Sequence, residues 1–153
     1  MVKKEYEMLK KKYNLPDFEA LDNEFEISTL EKPDFLLRNI KKKICEKIEL
    51  AADLLAKLIQ PETSCIADLY EYRCFNDKDK KKIFELYSKI LYLHRKLLET
   101  DFLLDDNEDA NIIMHTAKEW PELRKQMLPF VKSLEACWEK TPESEHAHRE
   151  YLG

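Results

Sequence analysis

A chain of 153 residues, 44% apolar and 37% charged, has the size of one domain and enough apolar side chains to bury a core without disulfide or metal. Its only glycine is the last residue, Gly153, which excludes glycine-rich phosphate loops and the tight hairpins that need positive φ. The formal net charge of −5 gives no general attraction to nucleic acid.

The composition predicts an all-α fold: an antiparallel helical bundle of three to four long helices with a short N-terminal helix and flap, in a single domain over 1–153. No apolar run reaches the roughly eighteen residues of a membrane span. The amino end, "MVKKEYEMLKKKY", lacks the apolar centre of a signal peptide. A soluble, cytoplasmic protein without membrane contact is expected.

In chain order, residues 2–13 form a charged helix with Tyr6, Leu9 and Tyr13 on one side. After Pro16, "PDFEALDNEFEI" gives a short helix whose Phe18, Leu21 and Phe25 dock as a flap. Pro33 suits a first helical position, and the pattern then runs unbroken to Pro61. Leu37, Ile40, Ile44, Ile48, Ala51, Leu55 and Leu58 recur at spacings of three and four, one buried face of a helix over 33–60.

The connector "PETSCIADLYEYRCF" holds one short helix that Thr63 or Ser64 can cap. Asn76 caps a second long helix over 77–103, whose apolar face takes in Ile83, Phe84, Tyr87, Ile90, Leu91, His94, Leu97, Leu98 and Phe102. Asp105 or Asp106 caps the next segment, and Trp120-Pro121 marks a kink or restart before a final helix that ends near residue 140. That helix buries Leu123, Met127, Phe130, Val131, Leu134 and Trp138, with a bend at Pro129. Residues 141–153 have little to pack and read as a loosely ordered tail.

Charge is blocky. Residues 14–35 carry seven acids against one base, and residues 99–122 carry eight against one. Centring the antiparallel hairpin near residue 68 places Lys41, Lys42 and Lys43 beside His94, Arg95 and Lys96, and Lys57 beside Lys80, Lys81 and Lys82. Successive helical residues fan out by about 100° each, so a lysine triplet cannot face one ligand. A solvated, salt-bridged face is the main reading, with Lys41 running its stem along Leu37 and Ile44. Reversing all three charges is then expected to spare the fold. The alternative is an anion- or nucleic-acid-binding patch of Lys41, Lys42, Lys43, Arg95, Lys96, Lys80, Lys81 and Lys82.

No catalytic set emerges. His94 on an apolar stripe reads as a hydrogen-bonded structural histidine, with Tyr87 or a tyrosine of the flap as a candidate partner. Glu143-x-x-His146 and Glu145-x-x-His148 overlap in the polar tail and do not make a di-metal site. No arginine is followed four to six residues later by histidine, the pattern of the HEPN ribonucleases. The cysteines Cys45, Cys65, Cys74 and Cys137 lack close CxxC pairing and read as buried, unreactive thiols in a reducing compartment. Cys65, Cys74 and Cys137 could converge with a tail histidine on zinc, but their spacing is poor. No metal and no cofactor is expected.

The runs "YNLPDFEALDNEFEI" and "LYEYRCFNDKDKKKIFELY" and the ending "YLG" resemble small, uncharacterised helical proteins of archaea. The resemblance implies a cytoplasmic protein and carries no activity.

The function expected is a non-enzymatic helical interaction or assembly module that binds a protein partner or itself. Its contact surface would draw on Tyr70, Tyr72, Phe75 and Trp120, which lie in segments not needed for the core. The alternative is a nucleic-acid- or ribosome-associated factor using the clustered lysines. An enzyme is the third class, and a pocket lined by His94 and convergent acids would favour it.

Overall fold

The structure, a computed structural model, describes residues 1–139. Among them are six α-helices: α1 Val2–Tyr13, α2 Phe18–Phe25, α3 Leu36–Ile59, α4 Ile66–Arg73, α5 Asp77–Leu103 and α6 Asp106–Glu139. A 3-10 turn covers Ile27–Thr29, and no strand occurs among the described residues. α3, α5 and α6 pack against one another as an antiparallel bundle; α4 lies on α3, and α1 and α2 close over the same helix. None of the helices is long and apolar enough to cross a membrane. The tail over 141–153 lies outside the described residues.

The core follows the apolar spacing of α3 closely: Leu37, Ile40, Ile44, Ile48, Ala51, Leu55 and Leu58 are all buried. The flap docks as its sequence predicts. Tyr6 of α1 is fully buried, donates to the Pro16 carbonyl at 2.5 Å and meets Phe18 edge-on, while Phe25 packs on Trp120 of α6. Asn76 caps α5 through the Asp79 N–H at 2.8 Å, and Asp105 Oδ1 accepts from the Asn107 N–H at 3.2 Å before α6.

Several expectations are corrected. α3 begins at Leu36, not Pro33, with Phe35 in the left-handed region ahead of it. Neither Thr63 nor Ser64 caps α4; Cys65 holds that position without a side-chain bond. The buried stripe of α5 is Ile83, Leu86, Ile90, Leu93, Leu97 and Thr100, whereas Phe84, Leu98 and Phe102 stand in solvent. The apolar face of α5 is wide enough to hold two adjacent stripes, and only one can face the bundle. On α6, Val131 and Trp138 are likewise exposed and Phe130 half-buried.

α6 runs without a break through Pro121 and Pro129, so no restart follows Trp120. Each proline removes one N–H from the ladder, a local cost. Trp120 and Leu123, buried on either side of Pro121, hold that turn in place.

The hairpin register also differs. Lys41 meets Thr100 and Asp101 rather than Arg95, a slide of about a turn and a half. The connector between α3 and α5 is not symmetric about its midpoint. It runs through α4, which packs on α3, and α5 begins at Asp77 as expected, so the helix ends alone do not set the register.

The cysteines depart most from expectation. Cys74, just after α4, and Cys137, near the end of α6, form a disulfide with Cα atoms 6.2 Å apart. Cys45 and Cys65 are free and half-buried. The convergence of Cys74 with Cys137 is real, but the two sulfurs bond to each other and are no longer ligands for zinc.

Candidate functional site

Lys41 is not on a wet face. Its side chain is buried, and Nζ donates to Thr100 Oγ1 at 2.9 Å and Asp101 Oδ1 at 2.8 Å. Buried Asp109, from the first turn of α6, places Oδ1 2.8 Å away. That contact is an ion pair by distance; its angle is not that of a hydrogen bond. One ammonium thus ties α3 to both α5 and α6, and its charge is spent on acids.

The other cationic candidates are dispersed. Lys42 is exposed and Lys43 half-exposed on α3. Arg95 turns to His94, and Lys96 Nζ stands over the Tyr92 ring at 4.9 Å. Lys80 caps the Tyr72 ring at 3.6 Å, Lys81 is exposed, and Lys82 lines a cavity of about 420 Å³ between α5 and α6. Lys57 borders a different cavity with Phe84 and Tyr87. The aromatic residues expected at a contact surface are occupied too. Phe75 and Trp120 are core, and the Tyr70 hydroxyl donates to the Cys137 carbonyl while its ring lies on Trp138.

Two arrangements do stand out. The first is the bundle end formed by the start of α3 and the end of α5. Phe35 and Leu104 both take left-handed conformations, with φ of 51° and 53°. Their side chains are 73% and 74% exposed, and Phe102 and Leu103 beside them are 80% and 50% exposed. Asp34, Asp101, Asp105 and Asp106, all exposed, flank these residues in sequence. Arg38 leans over the Phe35 ring at 5.4 Å.

The second lies on the side of the bundle. Cys45 and Glu49, one turn apart on α3, face His94 of α5. Glu49 Oε1 accepts from Cys45 Sγ at 3.4 Å and lies 3.1 Å from His94 Nε2. Arg95 Nη1 is 2.6 Å from His94 Nδ1. A guanidinium can only donate, so Nδ1 accepts and the ring proton sits on Nε2, directed at Glu49.

These bonds hold the Glu49 carboxyl below its ordinary value, first through His94 and then through Cys45. Burial, aided by Glu49, pushes the Cys45 thiol up to about 12, so it is no thiolate nucleophile in this state. A cavity of about 290 Å³ adjoins the cluster, bordered by Glu49, Asp53, Tyr87, His94 and Arg95.

His94 is half-buried on α5, and its partner is not Tyr87, a candidate the sequence suggests. With the register corrected, Glu49 takes that role. The signal for it in the sequence is the Cys45 and Glu49 pair at i, i+4. No protein-family model, curated protein or solved structure matches the chain.

Proposed function

We propose that this chain is a non-enzymatic helical interaction module that docks a protein partner on the bundle end bearing Phe35, Phe102, Leu103 and Leu104. The observation that carries the reading is the exposure of Leu104, a bulky apolar side chain held in a left-handed conformation at a helix end. Glycine is the usual residue there, and a branched side chain costs about 1–2 kcal/mol. Asn14 and Glu26 end α1 and α2 in the same conformation, so what sets Leu104 apart is that a bulky apolar side chain stands in water there, beside exposed Phe102 and Leu103.

The rim chooses the partner. Exposed Asp34, Asp105 and Asp106 beside an apolar centre, with Asp101 already paired to Lys41, fit an amphipathic helix with an apolar stripe flanked by lysine or arginine. The same rim repels a second copy of itself and the phosphates of nucleic acid. The nucleic-acid alternative also loses Lys41, which is engaged by Asp101 and Asp109.

A cytoplasmic location belongs to this proposal, under one condition set by the Cys74 and Cys137 bond. Cytosolic thiols are kept reduced except in organisms whose intracellular proteins are disulfide-rich.

The test is a titration of the full chain with a synthetic leucine–lysine amphipathic helix and its leucine–glutamate analogue. Binding of the cationic peptide, weakened by salt and at least about tenfold weaker in a Phe102→Ser, Leu104→Ser double variant, supports the reading. Equal binding of both peptides, a dimer abolished by the double variant, or tight binding of single-stranded RNA at physiological salt contradicts it.

A further inference from the structure

The geometry points to a second site, independent of the docking surface: we propose that Cys45, Glu49 and His94 bind a divalent zinc ion between α3 and α5. Their ligand atoms, one sulfur, one oxygen and one nitrogen, all lie within 4.8 Å of one another. A tetrahedral zinc, about 2.3 Å from sulfur and about 2.0 Å from nitrogen and oxygen, spaces sulfur from oxygen by about 3.5 Å and nitrogen from oxygen by about 3.3 Å. The observed separations are 3.4 Å and 3.1 Å. The remaining sulfur-to-nitrogen span is no more than 4.8 Å, against about 3.5 Å in a tetrahedral site.

The donor set selects the ion. A thiolate with an imidazole and one carboxylate suits zinc and other borderline first-row ions, and disfavours calcium and magnesium, which take oxygen. Ligand spacing on α3 is one turn, so Cys45 and Glu49 chelate from a rigid helix face, and His94 closes the site from the facing helix. Glu49 and His94 also border the adjoining cavity, while Cys45 does not. Two of the three ligands thus border open space from which a water molecule could complete the coordination.

Two groups must change on binding. The Cys45 thiol gives up its proton to solvent. The His94 ring proton moves from Nε2 to Nδ1, which requires the Arg95 guanidinium to leave; Arg95 is exposed and free to swing into water. Arg95 thus acts against the metal, an opposition that a simple hydrogen-bonded cluster would not show.

The experiment is a chelator-buffered titration of the full, disulfide-intact chain with Zn²⁺, with Co²⁺ as the optical probe of thiolate ligation. The expected result is one equivalent of ion, a thiolate-to-cobalt charge-transfer band, and a raised melting temperature with zinc. Cys45→Ser should remove the band, and Glu49→Gln and His94→Gln should each weaken zinc binding at least about tenfold. Cys65→Ser should change nothing, and Arg95→Ala should bind at least as tightly as wild type. Circular dichroism of each variant without metal separates lost binding from lost fold, and Glu49→Gln and Arg95→Ala alter exposed residues. No charge-transfer band in the wild type overturns the site. So does a band that survives Cys45→Ser or disappears with Cys65→Ser.

Discussion

Lys41 Nζ and Asp109 Oδ1 lie 2.8 Å apart with both side chains almost wholly removed from water. The pair joins α3 to α6 across the end of α5, and Asp101 adds a second, exposed carboxylate.

Breaking one partner of a buried pair leaves an uncompensated charge. Lys41→Met should therefore cost about 3–5 kcal/mol in urea unfolding, whereas Lys42→Ala, on the exposed side of the same helix, should change stability by less than about 0.5 kcal/mol. Contrary to the reading from the sequence, reversing Lys41, Lys42 and Lys43 together should not spare the fold. A carboxylate at 41 would face Asp101 and Asp109, and the triple reversal should unfold the chain.

Alkaline pH should weaken the fold through two protons. Burial raises the Tyr6 phenol above its ordinary 10.0 and carries the Cys45 thiol from 9.0 to about 12. The native state keeps both protons at pH values where the unfolded chain releases them. Their stabilisation is thus fully present below about pH 9 and declines as pH rises toward the native values. Tyr6→Phe should flatten the upper part of that decline. At neutral pH it should cost about 1 kcal/mol for the lost bond to the Pro16 carbonyl. Urea midpoints from pH 8 to 11 check both effects.

The Cys74 and Cys137 disulfide closes a loop with a sequence separation of 63 residues. Loop-closure entropy gives about 4 kcal/mol for a loop of that length. Cys137→Ser should lose about that much, and dithiothreitol should lower the wild type toward the variant while leaving the variant unchanged. A wild type equally stable with and without reductant would show that the bond contributes nothing.

Leu104→Gly separates folding from docking. Glycine relieves the left-handed strain at the end of α5, so stability should hold or rise by about 1 kcal/mol. Binding of the cationic helix should weaken at the same time. A variant that is destabilised, or that binds as well as wild type, would remove Leu104 from the proposed surface.

The local features were the most legible in the sequence. The stripe from Leu37 to Leu58, the Asn76 cap and the docking of Phe18, Leu21 and Phe25 each depend on spacing within a few residues, and periodicity reports them directly. The choice between Leu86 or Leu93 and Phe84 or Phe102 was not legible, because both stripes are apolar and only tertiary packing decides between them. The site suffered from the same cause. Glu49 and His94 come from different helices, and an error of about two turns in register separates them. Buried Lys41 was hidden for a further reason: its partner Asp109 comes from a third helix, and no local pattern marks a lysine as buried.

The central claim is that the end carrying Phe35, Phe102, Leu103 and Leu104 is a docking surface. Amide chemical-shift mapping of the isotopically labelled full chain, titrated with the cationic amphipathic helix, tests it most directly. The account predicts that the largest shifts fall on residues 34–38 and 101–106, with little change at Lys80, Lys81 and Lys82. Shifts concentrated on the lysine-bearing start of α5, or spread evenly over the bundle, would contradict it.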